Sequence, residues 1–245
     1  VSGHLRNAGV LTTAGDGITT VDGTLTNDSL VQTDGLLRVR SGGRLVNNAL
    51  VAVRPNGKTW IEGGEVINHS RFAVVDAEFV LSPGANFANG VGSQFFMMGG
   101  TAEIRGNLSF DPDSRLTLDA LEGTGAQLDV KGTTLTLNGS AIALSDGSKL
   151  QILGPGGQLV AIDGGIVAQR GARLVIEGGD TPEERSRLTL TRTNLTIGGA
   201  NAEGPSELSV LRGVVELGGT TQVATFGDPG RIFAQDSEID VSGAM

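Results

Sequence analysis

Several residue types are missing or scarce in this chain. None of its 245 residues is cysteine or tyrosine, and only 4% are aromatic. Without cysteine, the chain forms no disulfide and has no thiol chemistry. No apolar run approaches the ~18 residues that a membrane helix requires, so we expect no insertion into a membrane. The shortage of aromatic side chains weakens any function that needs stacking platforms for sugars or bases.

Basic residues are in the minority, and histidine is rare. The sequence has 18 Lys and Arg against 27 Asp and Glu, for a net charge of −9. Such a chain repels nucleic acid, which is therefore not an expected partner. The two histidines, His4 and His69, lie outside any HExxH motif, and neither a G-x-S-x-G nor a P-loop motif is present. The sequence predicts no metal site and no cofactor.

The first ninety-odd residues repeat one short phrase five times. An asparagine is always third in the phrase, and by subtraction the copies are 20, 20, 21 and 21 residues apart. A fixed period of this length is typical of repeat architectures. The asparagines are Asn7, Asn27, Asn47, Asn68 and Asn89, and the apolar residues two positions before them are Leu5, Leu25, Leu45, Val66 and Phe87.

Apolar and polar residues alternate within each copy, as they do from Leu5 to Leu11. Alternation is typical of a half-buried strand, because successive side chains point to opposite faces. Short strands that recur every ~20 residues between glycine turns indicate the coils of a solenoid. Glycine, at 39 of 245 residues, is about twice as frequent as usual, which fits many tight turns. The predicted fold is all-β: a single-stranded parallel β-helix, or β-solenoid, of about ten coils.

Equivalent positions in successive coils of such a fold lie one above another, ~4.8 Å apart. The apolar residues of the phrase then form an inward column, and the asparagines form a stack of amides. We expect each amide to donate a hydrogen bond to its neighbour in the stack. We also expect it to hold a tight bend, since asparagine tolerates the left-handed backbone conformation. The stack is interpreted as structural rather than as a ligand site.

The period lengthens in the second half of the chain. Residues 1–107 hold regular coils of 20–21 residues, whereas strand phrases in 108–245, taken two or three per turn, give about five coils of roughly 24–30 residues. No linker separates the two parts, so one continuous solenoid over 1–245 is predicted. Val1 already stands inside the first coil, which suggests a processed product or a piece of a longer chain.

Polar insertions supply the additional length of the later coils. They lie at 178–187, 198–207 and 227–230. Loops on a rigid scaffold are frequent sites of recognition, although they can equally be tolerated decoration.

Aromatic residues concentrate near the end of the regular coils, and we expect them to fill the interior. They are Trp60, Phe72, Phe79, Phe87, Phe95, Phe96 and Phe110. The exception is the run Phe95, Phe96, Met97 and Met98, because four consecutive large apolar residues in a strand must point both ways. Two of them should face outward as a candidate interface, unless a loop or neighbouring segment covers them.

Catalysis on polysaccharides would need carboxylates gathered on one outward face over adjacent coils. The candidates are Asp111 and Asp113 in FDPDS, with Asp76 and Asp119 as potential neighbours. The proline between the two acids indicates a turn, where aspartate is common for backbone reasons. The remaining ligands of a calcium loop are missing. We favour the turn, and no catalytic residue is predicted.

The L-x-N-x-G-x-L phrase with glycine-rich turns resembles the repeats of secreted surface proteins of Gram-negative bacteria. These are the two-partner-secretion exoproteins of the filamentous-haemagglutinin type and the autotransporter passengers. LRNAGVLTT at 5–13 is close to their style, and LTNDSLVQT at 25–33 less so. The resemblance implies a right-handed parallel β-helix, export to the cell surface, and a role in adhesion or as a stalk. No secretion domain or C-terminal barrel is recognisable, so the secretion route stays open.

Three functional hypotheses follow. The first is a non-catalytic extracellular structural or adhesive protein, a segment of a bacterial surface adhesin, stalk or filament. The second is a β-helix polysaccharide lyase or hydrolase, or a phage-type depolymerase. The third is a carbohydrate-binding module that uses the loops at 178–187 and 198–207. Expected partners are a receptor or glycan on a host or neighbouring cell, or further copies of the chain in a filament, and the expected location is secreted or at the bacterial cell surface.

Overall fold

A computed structural model describes residues 1–201, 204–226 and 230–242, which are built almost entirely of short strands and turns. In these ranges the only helical segment is the 3₁₀ turn Pro182–Glu184, and no helix is long and apolar enough to cross a membrane. The chain visits three parallel sheets in turn, here called A, B and C, and each circuit is one coil. The predicted β-solenoid is therefore confirmed.

The strands are numbered in chain order. Sheet A contains β1 (His4–Asn7), β4 (Thr24–Asn27), β7 (Arg44–Asn47), β10 (Glu65–Asn68), β13 (Asn86–Asn89), β16 (Asn107–Phe110), β20 (Thr134–Asn138), β23 (Gln158–Ile162), β26 (Arg187–Thr191), β31 (Val214–Gly218) and β34 (Glu238–Ser242). Sheet B contains β2 (Val10–Thr13), β5 (Leu30–Thr33), β8 (Leu50–Val53), β11 (Arg71–Val75), β14 (Gln94–Met98), β17 (Arg115–Leu121), β21 (Ala141–Leu144), β24 (Gly165–Gln169), β27 (Asn194–Gly198) and β32 (Gln222–Phe226). Sheet C contains β3 (Ile18–Val21), β6 (Leu36–Arg40), β9 (Lys58–Glu62), β12 (Glu78–Leu81), β15 (Thr101–Ile104), β19 (Gln127–Lys131), β22 (Lys149–Leu153), β25 (Arg173–Glu177), β30 (Glu207–Leu211) and β33 (Arg231–Gln235). Two local hairpins are formed by β18 (Thr124–Gly125) with β17, and by β28 (Ala200–Asn201) with β29 (Gly204–Pro205).

The strands of each sheet pair in parallel and in register, so that Leu5 lies beside Leu25 and Leu25 beside Leu45. Subtracting the paired residue numbers along sheet A gives steps of 20, 20, 21, 21 and 21, followed by 27, 24, 29, 27 and 24. These steps match the shorter and longer coils expected from the sequence. Each complete coil within the described ranges uses three strands, one in each sheet.

The interior is a continuous column of buried apolar side chains that runs from Val21 to Val215. The inward column through Leu25, Leu45, Val66 and Phe87 is at most 1% exposed, whereas Leu5, covered on one side only, is 41% exposed. Burial of this column supplies the main stabilisation, at about 25 cal/mol per Å² of apolar area removed from water.

Four phenylalanines form one cluster within this interior. They are Phe72, Phe79, Phe87 and Phe95, and all six of their ring pairs have centroids 5.1 to 5.9 Å apart. Phe110 is also buried. The expectation that the aromatic residues outside the run 95–98 fill the interior is wrong for Trp60. Trp60 and Phe96 each lie one position from an inward residue and therefore point outward.

The turn after Asn89 is two residues longer than the preceding turns of its kind. As a result Phe95, and not Ser93, takes the place beside Phe72 in sheet B. Ser93 stands four residues after Asn89, as Phe72 does after Asn68, but the two extra residues keep it in the turn. Ser93 itself is buried in the turn, and its hydroxyl has no hydrogen-bond partner among the described residues.

The five repeated asparagines form a chain of side-chain hydrogen bonds, here called the asparagine ladder. Each Nδ2 donates to the Oδ1 of the asparagine in the next coil, with distances of 2.8, 2.8, 2.8 and 2.9 Å from Asn7 to Asn89. From Asn7 to Asn68, Nδ2 also donates to a backbone carbonyl in the next coil, and Oδ1 accepts from the backbone N–H two residues on. The predicted amide stack is therefore present.

The predicted left-handed conformation of these asparagines is wrong. Among the described asparagines only Asn56 has a positive φ, and the ladder residues end regular strands. The bend is held instead by the amide. Its Oδ1 accepts from a backbone N–H within the turn, and its Nδ2 donates to the carbonyl of the residue that follows the same turn in the next coil. The ladder ends at Asn89, because the next member of its column is Phe110 and the column is apolar in the following coils.

A small residue precedes each sheet A strand and continues the backbone pairing through the corner. The N–H of Arg44 donates to the carbonyl of Gly23, and the N–H of Glu65 to that of Gly43. A Cβ on Gly43 would collide with the carbonyl of Val21 in the coil before it. Close stacking of coils therefore excludes a side chain at this position.

Replacing Asn47 by alanine should destabilise the fold. The change leaves the Nδ2 of Asn27 without its acceptor on Asn47 and the backbone N–H of Ala49 without the Oδ1 that it bonds, at roughly 1–3 kcal/mol for each unsatisfied group. Chemical denaturation should show a loss of at least about 2 kcal/mol. The control Asn48→Ala removes only an exposed bond to Asp28 and should cost less than about 0.5 kcal/mol. Equal effects for the two variants would contradict the structural role of the ladder.

Replacing Gly43 by alanine should cost at least about 2 kcal/mol, because the added methyl forces neighbouring coils apart. Gly9 provides a matched control, since a Cβ there meets no atom within 4 Å. Thermal unfolding of Gly43→Ala and Gly9→Ala should therefore separate the two positions. A Gly43→Ala variant as stable as the parent chain would disprove the close corner contact.

Candidate functional site

The FDPDS segment forms an exposed turn between sheets A and B. The backbone N–H of Ser114 donates to the carbonyl of Asp111 over 3.1 Å, and its hydroxyl donates to the same oxygen. Asp113 has a left-handed backbone with φ of 60°. Both aspartates are exposed, and each backbone N–H bonds a neighbouring coil. The geometry gives these residues the turn role that the proline indicated.

The other two candidate acids lie elsewhere. Asp119 is the fifth residue of β17 and Asp76 follows β11, so both are at the far edge of sheet B from the FDPDS turn. A strand rises ~3.3 Å per residue, which separates Asp119 from that turn by more than ~15 Å. The four acids named from the sequence are therefore not gathered on one surface.

Asp119 instead belongs to a cluster that the sequence analysis missed. Its Oδ1 accepts hydrogen bonds from the Ser145 hydroxyl at 2.7 Å and from the N–H of Ala120 at 2.9 Å. Asp146 lies within hydrogen-bonding reach of Asp119 and forms an ion pair with Arg170. Asp146 sits in a Ser-Asp-Gly stretch that reads as an ordinary turn, and only the stacking of longer coils brings it beside Asp119.

The surroundings of Asp146 in this cluster favour the protonated form of its carboxyl. Burial raises the pKa of Asp146, and the neighbouring Asp119 raises it further, which together outweigh the lowering by Arg170. Each acid is also engaged by a neighbouring side chain, Asp119 by the Ser145 hydroxyl and Asp146 by the Arg170 guanidinium.

The apolar run 95–98 divides as expected for a strand. Phe95 and Met97 are fully buried, whereas Phe96 and Met98 point outward from sheet B and are partly exposed. The guanidinium of Arg71 lies 5.0 Å from the centroid of the Phe96 ring. Although Arg71 covers part of the ring, an outward apolar pair remains.

Sheet C carries an outward surface of a different character. Ion pairs join successive coils there, such as Arg38 with Glu62 at 2.6 Å and Lys131 with Glu103 at 2.7 Å. The hydrogen bond from Lys131 lowers the pKa of Glu103. Trp60 lies among these groups, 5.0 Å from the guanidinium of Arg38, and its Nε1 donates to the Ser82 hydroxyl at 2.8 Å.

The loop at 178–187 is compact and polar. It contains the 3₁₀ turn, and Arg212 links to it through Asp180 at 2.7 Å. An open groove of about 470 Å³ beside it is lined by Pro155, Glu177 and Glu184, together with glycines, and has no aromatic wall. The loop at 198–207 contains the small hairpin of β28 and β29, but residues 202 and 203 lie outside the described ranges. Three residues of the loop at 227–230 also lie outside them.

Metal ligands are not gathered in the part of the chain that the structure describes, where no group of three or more His, Cys, Asp or Glu side chains could hold an ion. Carboxylate chemistry is concentrated in the cluster of Asp119 and Asp146.

Replacing Asp146 by asparagine should stabilise the fold at neutral pH. A raised pKa means that the folded state holds the proton more tightly, so stability falls as pH rises from the ordinary aspartate value of ~3.9 through the raised value. The Asp146→Asn variant does not lose stability in this way, so it should be more stable than the parent chain at neutral pH. Below about pH 3 the two chains should be equally stable. Unfolding by denaturant across this pH range measures the effect.

Asp163→Asn provides a control of opposite sign, because hydrogen bonding from Arg192 lowers the pKa of Asp163. That variant should lose stability above the ordinary aspartate pKa and match the parent chain in acid. An Asp146→Asn variant that is less stable than the parent at pH 7 would contradict the repulsion between Asp119 and Asp146.

No family model and no curated protein sequence matches the chain. Among solved structures, the chain is similar to the crystal structure of a TibC-catalysed, hyperglycosylated fragment of TibA, residues 55–350. The sequences are 13% identical, the match covers 94% of this chain and 93% of that fragment, and the TM-score is 0.22. At this level of similarity, function must be argued from the residues of the chain itself.

Proposed function

We propose that this chain is a non-catalytic structural segment of a bacterial surface adhesin, stalk or filament, exposed outside the cell. The observation that carries the proposal is the unbroken, in-register pairing of three sheets through about ten coils around a filled interior. At ~4.8 Å per coil, this arrangement gives a stiff body about 48 Å long. Such a body holds whatever it carries at a fixed distance from the cell surface.

Contacts between coils reinforce this role. The asparagine ladder joins the first five coils, and ion pairs on sheet C join several coils along the outside. Each exposed ion pair contributes only ~0–1 kcal/mol. Their value lies in number, since each neighbouring pair of coils resists separation and bending through several small contacts.

The adhesive part of the proposal places recognition on the outward side chains and loops. Inward positions are committed to the core, whereas an outward position can change without altering the coil. The loops at 178–187 and 198–207 are the candidate contact points for a receptor or glycan. The groove beside the first loop lacks an aromatic platform, so a glycan there would be held by polar contacts.

A polysaccharide lyase, hydrolase or depolymerase is the alternative. The cluster of Asp119, Asp146 and Arg170 is the one feature that speaks for it, because it combines a raised pKa with a cation. Both acids are already bonded by neighbouring side chains of the scaffold, Asp119 by Ser145 and Asp146 by Arg170. The scaffold role is therefore the better supported function.

Deletion of one regular coil tests the scaffold role. Removing residues 25–44 joins Thr24 to Leu45 and brings Leu5 beside Leu45, so every column keeps its register. We expect a folded chain that is ~4.8 Å shorter by small-angle scattering. Binding to cells or to a glycan array should be unchanged, because the loops at 178–187 and 198–207 are intact.

Deletion of residues 25–34, half a coil, is the matched control. It places a sheet A strand where a sheet B strand belongs and should prevent cooperative folding. Loss of binding in the full-coil variant, despite a native fold, would place the function in the coils themselves. Turnover of a polysaccharide by the parent chain, reduced in Asp119→Asn but not in Asp111→Ala with Asp113→Ala, would favour the enzyme instead.

A further inference from the structure

Charged residues avoid one of the three faces. Among the described strands, Asp, Glu, Lys and Arg number thirteen in sheet C and seven in sheet A, but only three in sheet B, namely Arg71, Arg115 and Asp119. The 45 charged residues of the chain, 18 basic and 27 acidic, are enough to cover every face. A nearly uncharged face on such a chain is a candidate contact surface.

The middle of this face is also uniformly small or apolar. Its outward central column runs through Ala52, Ala73, Phe96, Thr117, Ala143 and Val167, and the remaining coils of the column add only threonine, glutamine and alanine. Beside it, Met98 and Val75 point outward in neighbouring coils. The face therefore offers a flat surface with one raised ring, that of Phe96.

The area of this face suits a dimer. Ten strands at ~4.8 Å by five residues at ~3.3 Å give about 800 Å² per copy. Two such faces would bury about 1,600 Å², within the ~1,200–2,000 Å² of stable protein interfaces. A large part of sheet B must be covered to reach this area, which a second solenoid of equal length would do.

Two of the three charges, Arg115 and Asp119, fix how two copies would meet. Arg115 and Asp119 lie on the same strand, on opposite sides of the central column and ~13 Å apart. Arg115 forms no ion pair within the described ranges. Arg170 is paired with Asp146, which leaves Asp119 as the acid available to a cation from outside.

We propose that two copies of this chain pair through sheet B, side by side and in the same direction. The two-fold axis runs along the central column, parallel to the solenoid. This symmetry places Arg115 of each copy over Asp119 of the other and brings the two Phe96 rings together at the axis. The pairing does not depend on the adhesive role, so either can fail without the other.

A charge-exchange experiment tests this arrangement by sedimentation velocity, over a dilution series from about 100 µM to about 1 µM. The parent chain should dimerise. Arg115→Asp and Asp119→Arg should each weaken the dimer by at least about tenfold, because each places like charges opposite one another. An equimolar mixture of the two variants should restore dimers, since one copy then presents two acids and the other two cations. The double variant should also dimerise alone.

Restoration in the mixture shows that both variants are folded, and Arg173→Asp on sheet C controls for the change in net charge and should leave the dimer unaffected. Three outcomes overturn the proposal. The first is a parent chain that stays monomeric throughout the series. The second is a dimer that neither single variant weakens, which would indicate pairing through another surface, such as the ends of the solenoid. The third is a mixture that stays monomeric although each variant unfolds at the temperature of the parent chain.

Discussion

Parallel stacking in register is the constraint from which the rest of this structure follows. Each backbone N–H and carbonyl of a strand is satisfied by the coils before and after it, so neighbouring coils must keep the same path. The burial of a residue then depends on the residues above and below it in its column as well as on its neighbours in sequence. Leu25 is buried because Leu5 and Leu45 lie on either side of it, and a polar residue in that column would face an apolar one above and below.

The asparagine ladder and the small corner residues both allow the coils to stack in register at the corners. Turns carry backbone groups that the sheets do not satisfy. In the first five coils the amide of each asparagine bonds these groups and also the next amide, as at Asn27 and Asn47. After Asn89 the column becomes apolar at Phe110, and corners rely on left-handed residues such as Asp163 and Arg192. The change coincides with the lengthening of the coils, when a fixed amide stack would no longer match the turns.

The same constraint explains what could be predicted from the sequence. The period, the inward column and the amide stack repeat with fixed spacing, so the fold of the first coils was predictable. In the later coils the fold was predictable from the alternation of apolar and polar residues. The orientation of Trp60 was not, because a single aromatic residue carries no periodic signal of its own. The left-handed conformation assigned to the ladder asparagines was wrong. Asparagine is common at bends for two reasons, its own left-handed backbone or the hydrogen bonds of its side-chain amide, and residue preference alone does not distinguish them.

The candidate site was less predictable than the fold for a physical reason. Asp119 and Asp146 are 27 residues apart by subtraction, in a region where the coil length varies from step to step. A column there cannot be extrapolated from a fixed period, so Asp119 was grouped with Asp111 and Asp113, to which it is close only in sequence. A turn can be predicted from residues that are neighbours in sequence. A contact between coils can be predicted only when the length of every insertion between the two residues is known.

The architecture restricts inward residues but not outward ones, and charged residues are distributed unevenly among the outward faces. Charge is concentrated on sheet C, where ion pairs such as Lys58 with Glu78 at 2.9 Å link successive coils. Sheet B has the same backbone and the same core behind it, yet almost none of this charge. Stability cannot account for the difference, since exposed ion pairs contribute little and would be as easily accommodated on one parallel sheet as on another. The difference in charge therefore reflects what each face contacts: the charged face of sheet C is suited to water, and the nearly uncharged face of sheet B is suited to another protein surface.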